Sequence, residues 1–476
     1  MTTVLAIDQG TSGTKAIVVD GDGRVLATAE ESLRPRYLDG GAVEQDPVAL
    51  FDSVISAGRR ALAEAGVPAD AVALANQGES VLAWDPTTGT PLTPIIVWQD
   101  RRAEAWCRDH AAHRDRVHEL TGLELDPYFS APKMRWLRDT LTTDGVVTTT
   151  DTWIAHRLCG AFVTDTSTAS RSLLLDLDTA NWSPELLDLF GLADERLPRI
   201  VASDDVVGET TAFGPPLPLA GLIVDQQAAL LAQACLAPGT AKCTYGTGAF
   251  VLAQTGPNAV RSASGLTSSV AWTLGGHTSY CLDGQVYTAA SAVRWAVDTG
   301  LLESAAGIDQ AAAPSSDGVL FVPAFAGLAA PWWDPTGTAT ISGLRLHTGA
   351  GQVVRALAEG IACQIAELTV LVGAETGMPL TRLRVDGGLT RSAVLMQAQA
   401  DLAQLPVEVY PSAHATPLGA AAGARLALGD SRDLAEIVGR WSPDHTYEPE
   451  WSRDRAETQR NRWRSLAHSV LAQGVS

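Results

Sequence analysis

The sequence predicts a two-domain α/β protein with its functional site in the cleft between the domains, and three observations predict it. The chain has 476 residues, whereas a single hydrophobic core stops growing at roughly 250 to 300 residues, so two cores are expected. Short apolar runs bounded by glycine turns alternate with longer stretches of helical period, the pattern of sheets with helices packed on their faces. The opening theme of strand, glycine-threonine turn and strand returns near residue 241 as a weak internal repeat.

In order along the chain, residues 4–7 are apolar, residues 9–14 carry turn chemistry and residues 16–19 are apolar again. Gly21-Asp22-Gly23 then turns the chain into a third strand over 24–29. Asp46-Pro47 marks a helix start, and Val48, Leu50, Phe51, Val54, Ile55, Ala61 and Leu62 keep a helical period to residue 65. Strands follow at 71–75 and 81–84. The proline-rich stretch 214–220 leads into a short strand over 221–225 and a helix over 226–236. We place the domain boundary just after that helix, giving domains 1–238 and 239–476. Beyond it, 241–244 is a strand, 245–250 a turn and 251–254 a strand. Near the end, 382–386 is a strand entering Gly387-Gly388, and 417–428 is a helix of alanine and glycine, small enough for close packing between domains.

The composition, 46% apolar and 18% charged, is that of a packed globular protein. A net charge of −20 disfavours nucleic acid and anionic membrane, both polyanions. The six cysteines stand far apart without a C-x-x-C pair or a histidine spacing that suits zinc, so reduced thiols in a cytoplasmic protein are expected. Met-Thr-Thr-Val runs into the first strand without a basic segment or a long apolar one, so no signal peptide is expected. No run approaches the ~18 consecutive apolar residues of a membrane span.

Four constellations carry chemistry. Asp8-Gln9-Gly10-Thr11-Ser12-Gly13-Thr14-Lys15 lies between two strands. Its glycines and small hydroxyls let backbone N–H groups face phosphate oxygens, Lys15 adds charge, and Asp8 suits a water-mediated magnesium ligand. A strand follows it rather than the helix of a Walker loop. Thr244 to Phe250 is a matching turn in the second domain, and two such turns facing one cleft clamp a triphosphate from both sides. Val385-Asp386-Gly387-Gly388 ends a strand on two glycines that admit a nucleoside against backbone. Asp225-Gln226-Gln227, at a strand-to-helix junction, places a carboxylate where it would take the proton of an attacking hydroxyl. Singly, each also reads as a β-turn or an N-cap; their order across two α/β domains is far more specific.

These residues resemble the FGGY carbohydrate kinases, and the glycerol kinases among them, over nearly the whole chain. The likeness is carried by the opening Asp8-Gln9-Gly10-Thr11, by Ile96-Val97-Trp98-Gln99 with Arg101-Arg102, by Asp126-Pro127-Tyr128-Phe129-Ser130 and by Asp151-Thr152-Trp153. It continues through Asp225 to Leu230, Thr244 to Gly248, Val322 to Phe325, Pro331 to Pro335 and Arg384 to Gly388. Residues 128–139, with Lys133 and Trp136, and 339–359 resemble the two stretches by which the family is recognised; Leu357 is a mild departure. The resemblance implies the actin, hexokinase and Hsp70 fold, built on ribonuclease H-like domains, and an ATP- and Mg2+-dependent kinase acting on a small polyol or sugar. It implies Asp225 as catalytic base and Asp8 with Asp225 around the magnesium. Gly78, Glu79, Trp98, Tyr128, Asp225, Gln226 and Phe250 would form the polyol pocket, and Thr11, Ser12, Lys15, Gly246, Thr247, Gly387 and Gly388 would touch the nucleotide. Homodimers fall within what it implies.

Two readings from other classes stay open beside the kinase. One is an idle sugar- or nucleotide-sensing protein, whose mark would be loss of Asp8 or Asp225, and both are present. The other is an actin- or chaperone-like ATPase, which would leave Glu79, Trp98 and Tyr128 without a polyol to hold. There are also departures. Ala290 and Arg294 replace a glycine and a glutamine near the nucleotide, and Ser392 replaces an asparagine. Gly78 replaces an arginine that donates hydrogen bonds to glycerol hydroxyls, which leaves room for a four- or five-carbon polyol or ketose. Thr211-Ala212-Phe213-Gly214-Pro215-Pro216-Leu217 lacks the cations of a fructose 1,6-bisphosphate site.

Overall fold

The computed structural model describes residues 2–473. Strand β1 (Val4–Gly10) pairs antiparallel with β2 (Gly13–Val19), which pairs with β3 (Val25–Ser32). Only Thr11 and Ser12 lie between the first two strands, so the expected six-residue turn is a two-residue hairpin. On its other edge β1 runs parallel to the strand Ala71–Asn76, which runs parallel to Leu217–Val224. With Gly208–Thr210 these make a six-stranded sheet. Helix α1 (Pro47–Ala65) covers one face, its start capped by Asp46, which accepts from Val48 N and Ala49 N, and its end closed by Gly66 in left-handed conformation.

The second sheet repeats this plan. The strand Ala241–Tyr245 pairs antiparallel with Ala249–Gly256 on one side and parallel with Leu383–Gly387 on the other, as β1 does with its neighbours. The repeat noted in the sequence is therefore an equivalence of topology. His277–Val286 and Thr267–Leu274 extend one edge of this seven-stranded sheet. The helix Ala350–Thr376 runs through its core. It is long and apolar enough to cross a membrane, but 83% of its most apolar stretch is buried inside the protein.

The two halves are closely joined. The helix Ala415–Ala427 packs on Leu217–Val224 and on the helix Asp225–Ala232, within a core that mixes residues of both halves. Its small residues make this possible, since a Cβ on Gly419 would collide with the Ala228 backbone and one on Gly221 would meet the backbone of Ala420 and Ala424. Pro218 and Gly221 fall inside one eight-residue strand that absorbs them by a register shift, so the strand starts earlier than the prolines suggested. The helix after it spans Asp225–Ala232 rather than 226–236.

Candidate active site

The ends of the central strands of both sheets point into one cleft. The first site residue is Asp8, in β1, opposite Lys15 of β2. Asp225 is the first residue of the helix that follows Leu217–Val224. One of its oxygens, Oδ1, accepts from Gln226 N at 2.6 Å. Asp386 lies beside Thr244 in the second sheet and accepts from Thr244 Oγ1 at 2.6 Å. These carboxylates feel one another. Withdrawal from water pushes the Asp8 carboxyl up to about 7, with Asp225 and Asp386 adding to the rise and Lys15 opposing it. Burial also raises Asp225, against the pull of Lys242. Among the described residues no three carboxylate, imidazole or thiol side chains stand close enough to enclose a metal ion. The residues nonetheless fit magnesium, which keeps several waters and takes one or two carboxylates along with phosphate oxygens.

A cavity of about 190 Å3 opens beside Asp225, lined by Gly78, Glu79, Trp98, Tyr128, Gln226 and Phe250, by the Thr11-Ser12 turn and by Thr247-Gly248. The polyol residues expected from the sequence are thus brought to one place with Thr11, Ser12 and Thr247 of the two turns, from both domains. Trp98 holds the aromatic wall together. Its ring meets Tyr128 edge-on at 5.5 Å and Phe250 at 6.0 Å, and its Nε1 donates to Thr11 Oγ1 at 2.8 Å. That hydroxyl donates in turn to Gln77 Oε1 at 3.1 Å, so the Thr11 side chain, expected at the nucleotide, is engaged in orienting the tryptophan. Glu79 sits at φ +58°, a backbone conformation that costs a non-glycine residue on the order of 1–3 kcal/mol and is held here by the surrounding fold.

The expected nucleotide residues divide into two groups. Ser12 and Thr247 face the cavity. Gly246 and Thr247 accept from the backbone N–H groups of Ala290 and Ala289, which ties this turn to the helix Ala290–Asp298. Gly387 pairs with Tyr245 at φ +98°, and a Cβ there would collide with the Tyr245 backbone. Next to it, Gly388 has nothing within 4 Å of where a Cβ would lie, which leaves an open bare-backbone surface beside the second turn. Lys15 lies apart from the cavity, 3.1 Å from Glu30 and donating to Ala413 O. Ser392 caps the helix Ala393–Ala403 and donates to Asp309, while Arg294 is exposed.

Sequence reasoning missed three charged residues. Arg171 is 4% exposed and lines the cavity. Its Nε donates to Glu79, its Nη1 donates to Asp283 at 2.7 Å, and its Nη2 lies 3.5 Å from the Tyr128 hydroxyl. A Cβ on Gly78 would stand 3.9 Å from Arg171 Cδ and Nε, so a guanidinium already borders the space that the absent arginine vacates. Asp283, on the strand His277–Val286, is the second, and its partners are Thr267 and Gln285 besides Arg171. The third is Lys242, fully buried, which donates to Gln226 Oε1 at 2.6 Å and Thr244 Oγ1 at 2.8 Å. A faint signal existed for Arg171: it is the only charge between Asp165 and Asp176 in a run of small and apolar residues. Lys133, quoted above for the resemblance, donates to the carbonyls of Pro127, Tyr128 and Phe129 at 2.8, 2.5 and 2.6 Å and so fixes the Tyr128 segment; burial draws its ammonium down to about 7.

Residues 3–232 match the N-terminal domain, and residues 241–428 the C-terminal domain, of the FGGY family of carbohydrate kinases. The chain is 40% identical over 484 residues to the glycerol kinase of Aromatoleum aromaticum, covering 98% of each. It is 41% identical over 497 residues to that of Bordetella parapertussis, covering 99% of this chain and 97% of the relative. Among solved structures, Plasmodium falciparum glycerol kinase with ADP superposes with a TM-score of 0.91 at 29% identity, covering 99% of this chain and 98% of that one. A ligand-bound xylulose kinase from Lactobacillus acidophilus reaches 0.89 at 22% identity with the same coverage, which speaks for the fold alone.

Proposed function

The chain belongs to the FGGY family of carbohydrate kinases, and from that premise we propose that it transfers the γ-phosphoryl group of ATP to a terminal hydroxyl of glycerol. The observation that carries this reading is the cavity beside Asp225, where a carboxylate, an amide and a guanidinium face an aromatic wall of Trp98, Tyr128 and Phe250. Polar groups of this kind hold hydroxyls while the rings cover the carbon skeleton. A second reading, a slightly longer polyol or ketose, is favoured by Gly78, whose missing side chain leaves that end of the pocket less filled.

In the proposed mechanism Asp225 is the general base. Its Oδ1 is engaged by Gln226 N, so Oδ2 receives the proton as the hydroxyl oxygen attacks phosphorus. Glu79 and Gln226 hold the remaining hydroxyls and set the attacking one in line. The turns at Thr11-Ser12 and Gly246-Thr247 hold the phosphates from opposite sides, and Gly387-Gly388 admits the adenosine against bare backbone. Asp8 and Asp225 would hold magnesium through waters, where it offsets the negative charge gathering on the phosphate oxygens. Nothing in the site points to the idle alternative, since both carboxylates stand in the cleft. The six cysteines are unbridged, which fits a reducing, cytoplasmic setting.

The test is ADP release by purified protein with ATP and magnesium, with and without glycerol, tetritols, pentitols and ketopentoses, with the phosphorylated product identified by NMR. Glycerol-dependent release of one ADP per glycerol phosphate is expected. ADP release that no polyol stimulates would overturn the reading in favour of an ATPase.

A further inference from the structure

We propose that Arg171 is a substrate-binding residue that donates to a polyol hydroxyl, and that Asp283, reaching across from the second domain, is the residue that positions it. The inference rests on the polyol kinase reading above and names a specificity determinant within that site.

A guanidinium has five N–H groups. In Arg171 one goes to Glu79, one to Asp283 and one, at a long 3.5 Å, toward the Tyr128 hydroxyl. Two N–H groups remain without a protein partner among the described residues, on a residue that lines the cavity together with Gly78, Glu79 and Asp225. Desolvating a cation is unfavourable unless it is paired and hydrogen-bonded, and here two carboxylates hold it. A purely structural ion pair has no need to border the cavity. This one does, at the place where position 78 offers no side chain: a Cβ on Gly78 would face Arg171 Cδ and Nε at 3.9 Å and Val224 Cγ2 at 3.0 Å. The glycine thus keeps open a space whose only cationic wall, among the described residues, is Arg171.

The geometry of that wall is set from the other domain. Thr267 Oγ1 and Gln285 Nε2 donate to Asp283, the latter at 2.7 Å, and the carboxylate so fixed receives Arg171 Nη1. Nε of the same planar group meets Glu79, so the orientation of Glu79 depends on Asp283 through a rigid fork. Arg171 and Glu79 belong to the first half of the chain and Asp283 to the second sheet. The hydroxyl-binding end of the pocket is therefore assembled by both.

The experiment measures kcat and KM for glycerol, 1,2-propanediol and 1,3-propanediol in the wild type, Arg171→Lys and Asp283→Asn, alongside the melting temperature of each. The wild type should favour glycerol over both diols, because a diol leaves a buried donor unpaired. Arg171→Lys should raise the glycerol KM by about tenfold or more and shrink the preference over at least one diol. Asp283→Asn, which keeps the guanidinium but frees it, should raise the glycerol KM several-fold while changing kcat less. Folded variants with unchanged glycerol-to-diol ratios would overturn the inference and leave the kinase reading standing. Should Arg171→Lys not fold, an Asp283→Asn protein with wild-type KM would overturn it equally. If the wild type prefers a longer polyol, the same ratios are read on that polyol and its deoxy analogues. If the wild type phosphorylates no polyol, the kinase reading fails and this inference falls with it.

Discussion

Lys242 Nζ donates to the side-chain carbonyl oxygen of Gln226 at 2.6 Å, and because an ammonium has no lone pair, it settles which end of that amide it faces. The amide nitrogen is left for the cavity that Gln226 lines. Gln226 should therefore donate to a substrate oxygen rather than accept from a substrate hydroxyl. Lys242→Met frees the amide to rotate and should raise the KM for the polyol roughly tenfold, with the KM for ATP changing less. Steady-state kinetics in both substrates checks it, and an unchanged polyol KM would show that Gln226 is oriented by something else.

Asp225→Asn should keep the fold and lose turnover by about 10²-fold or more. The amide cannot take the hydroxyl proton, and it is a poorer partner for a cation. Since Oδ1 accepts from Gln226 N in the helix start, an amide oxygen can preserve that contact, so a circular dichroism spectrum and melting temperature close to wild type are expected. Near wild-type kcat would remove Asp225 from the role of base.

What the sequence made legible was local, and what it hid was not. Asp8, Asp225 and the glycine turns announce themselves because a strand end, a turn and a helix start are written in adjacent residues. The antiparallel and parallel neighbours of β1 and of Ala241–Tyr245 turned a weak repeat into an equivalence of topology. Arg171 and Asp283 are 112 residues apart and Lys242 and Gln226 are 16 apart on different elements; no local pattern marks a buried charge whose partner comes from another domain. Thr11 carries a second role that was hidden for a related reason, although its turn does line the cavity. Its place in the turn suggested phosphate, but Trp98, 87 residues on, takes its hydroxyl. Pro218, in the proline-rich stretch, suggested that the strand begins only at residue 221, whereas a register shift between Leu219 and Leu222 carries the sheet through it.

Gly387→Ala should act on the nucleotide alone. Its φ of +98° and the collision of a Cβ with the Tyr245 backbone force the strand end to shift, at about 1–3 kcal/mol. The affected surface is the bare backbone beside the second glycine turn. The KM for ATP should rise by about tenfold, with the polyol KM within a factor of about two, because a shift of this size is felt where the backbone meets ligand. Equal changes in both would mean that the two subsites are not separable.

Closure of the cleft around both ligands is expected, since the turns at Thr11-Ser12 and Gly246-Thr247 come from different halves and must converge to exclude water. One side is already joined: Ser268 N donates to Gly122 O at 2.8 Å, Val270 N to Ser170 Oγ at 3.0 Å and Ser203 N to Thr273 O at 2.8 Å. That side should act as the pivot. Small-angle scattering should show a smaller radius of gyration with a non-hydrolysable ATP analogue and polyol together than with neither, and identical curves would count against a closing motion.

Fructose 1,6-bisphosphate should not inhibit at millimolar concentration. The stretch from Thr211 to Leu217 has no cation of its own, and Arg59 of α1, which lies against it, already donates to Ala212 O at 2.9 Å. A doubly phosphorylated sugar needs several charge-assisted donors in one place, and this loop offers none. Saturable inhibition would show that the anion is bound by other residues.

The last prediction concerns substrate length. Gly78→Arg brings a side chain into the end of the cavity bordered by Val224 and Arg171, where the Cβ alone would come within 3.0 Å of Val224 Cγ2. The neighbour must give by a few tenths of an ångström, and the rest of the arginine must then lie in the space a fourth or fifth carbon would use. A second guanidinium next to Arg171 also adds donors for hydroxyls, against the repulsion of two like charges that Glu79 and Asp283 only partly offset. Absolute activity is therefore set by opposing terms, whereas the ratio of substrates is set mainly by volume. The kcat/KM for glycerol relative to that for a tetritol should rise in Gly78→Arg, even if both values fall. Measured in both proteins under one set of conditions, a ratio that stays level or moves toward the tetritol would show that position 78 does not bound the chain length, and the limit would then have to lie at the aromatic wall of Trp98, Tyr128 and Phe250.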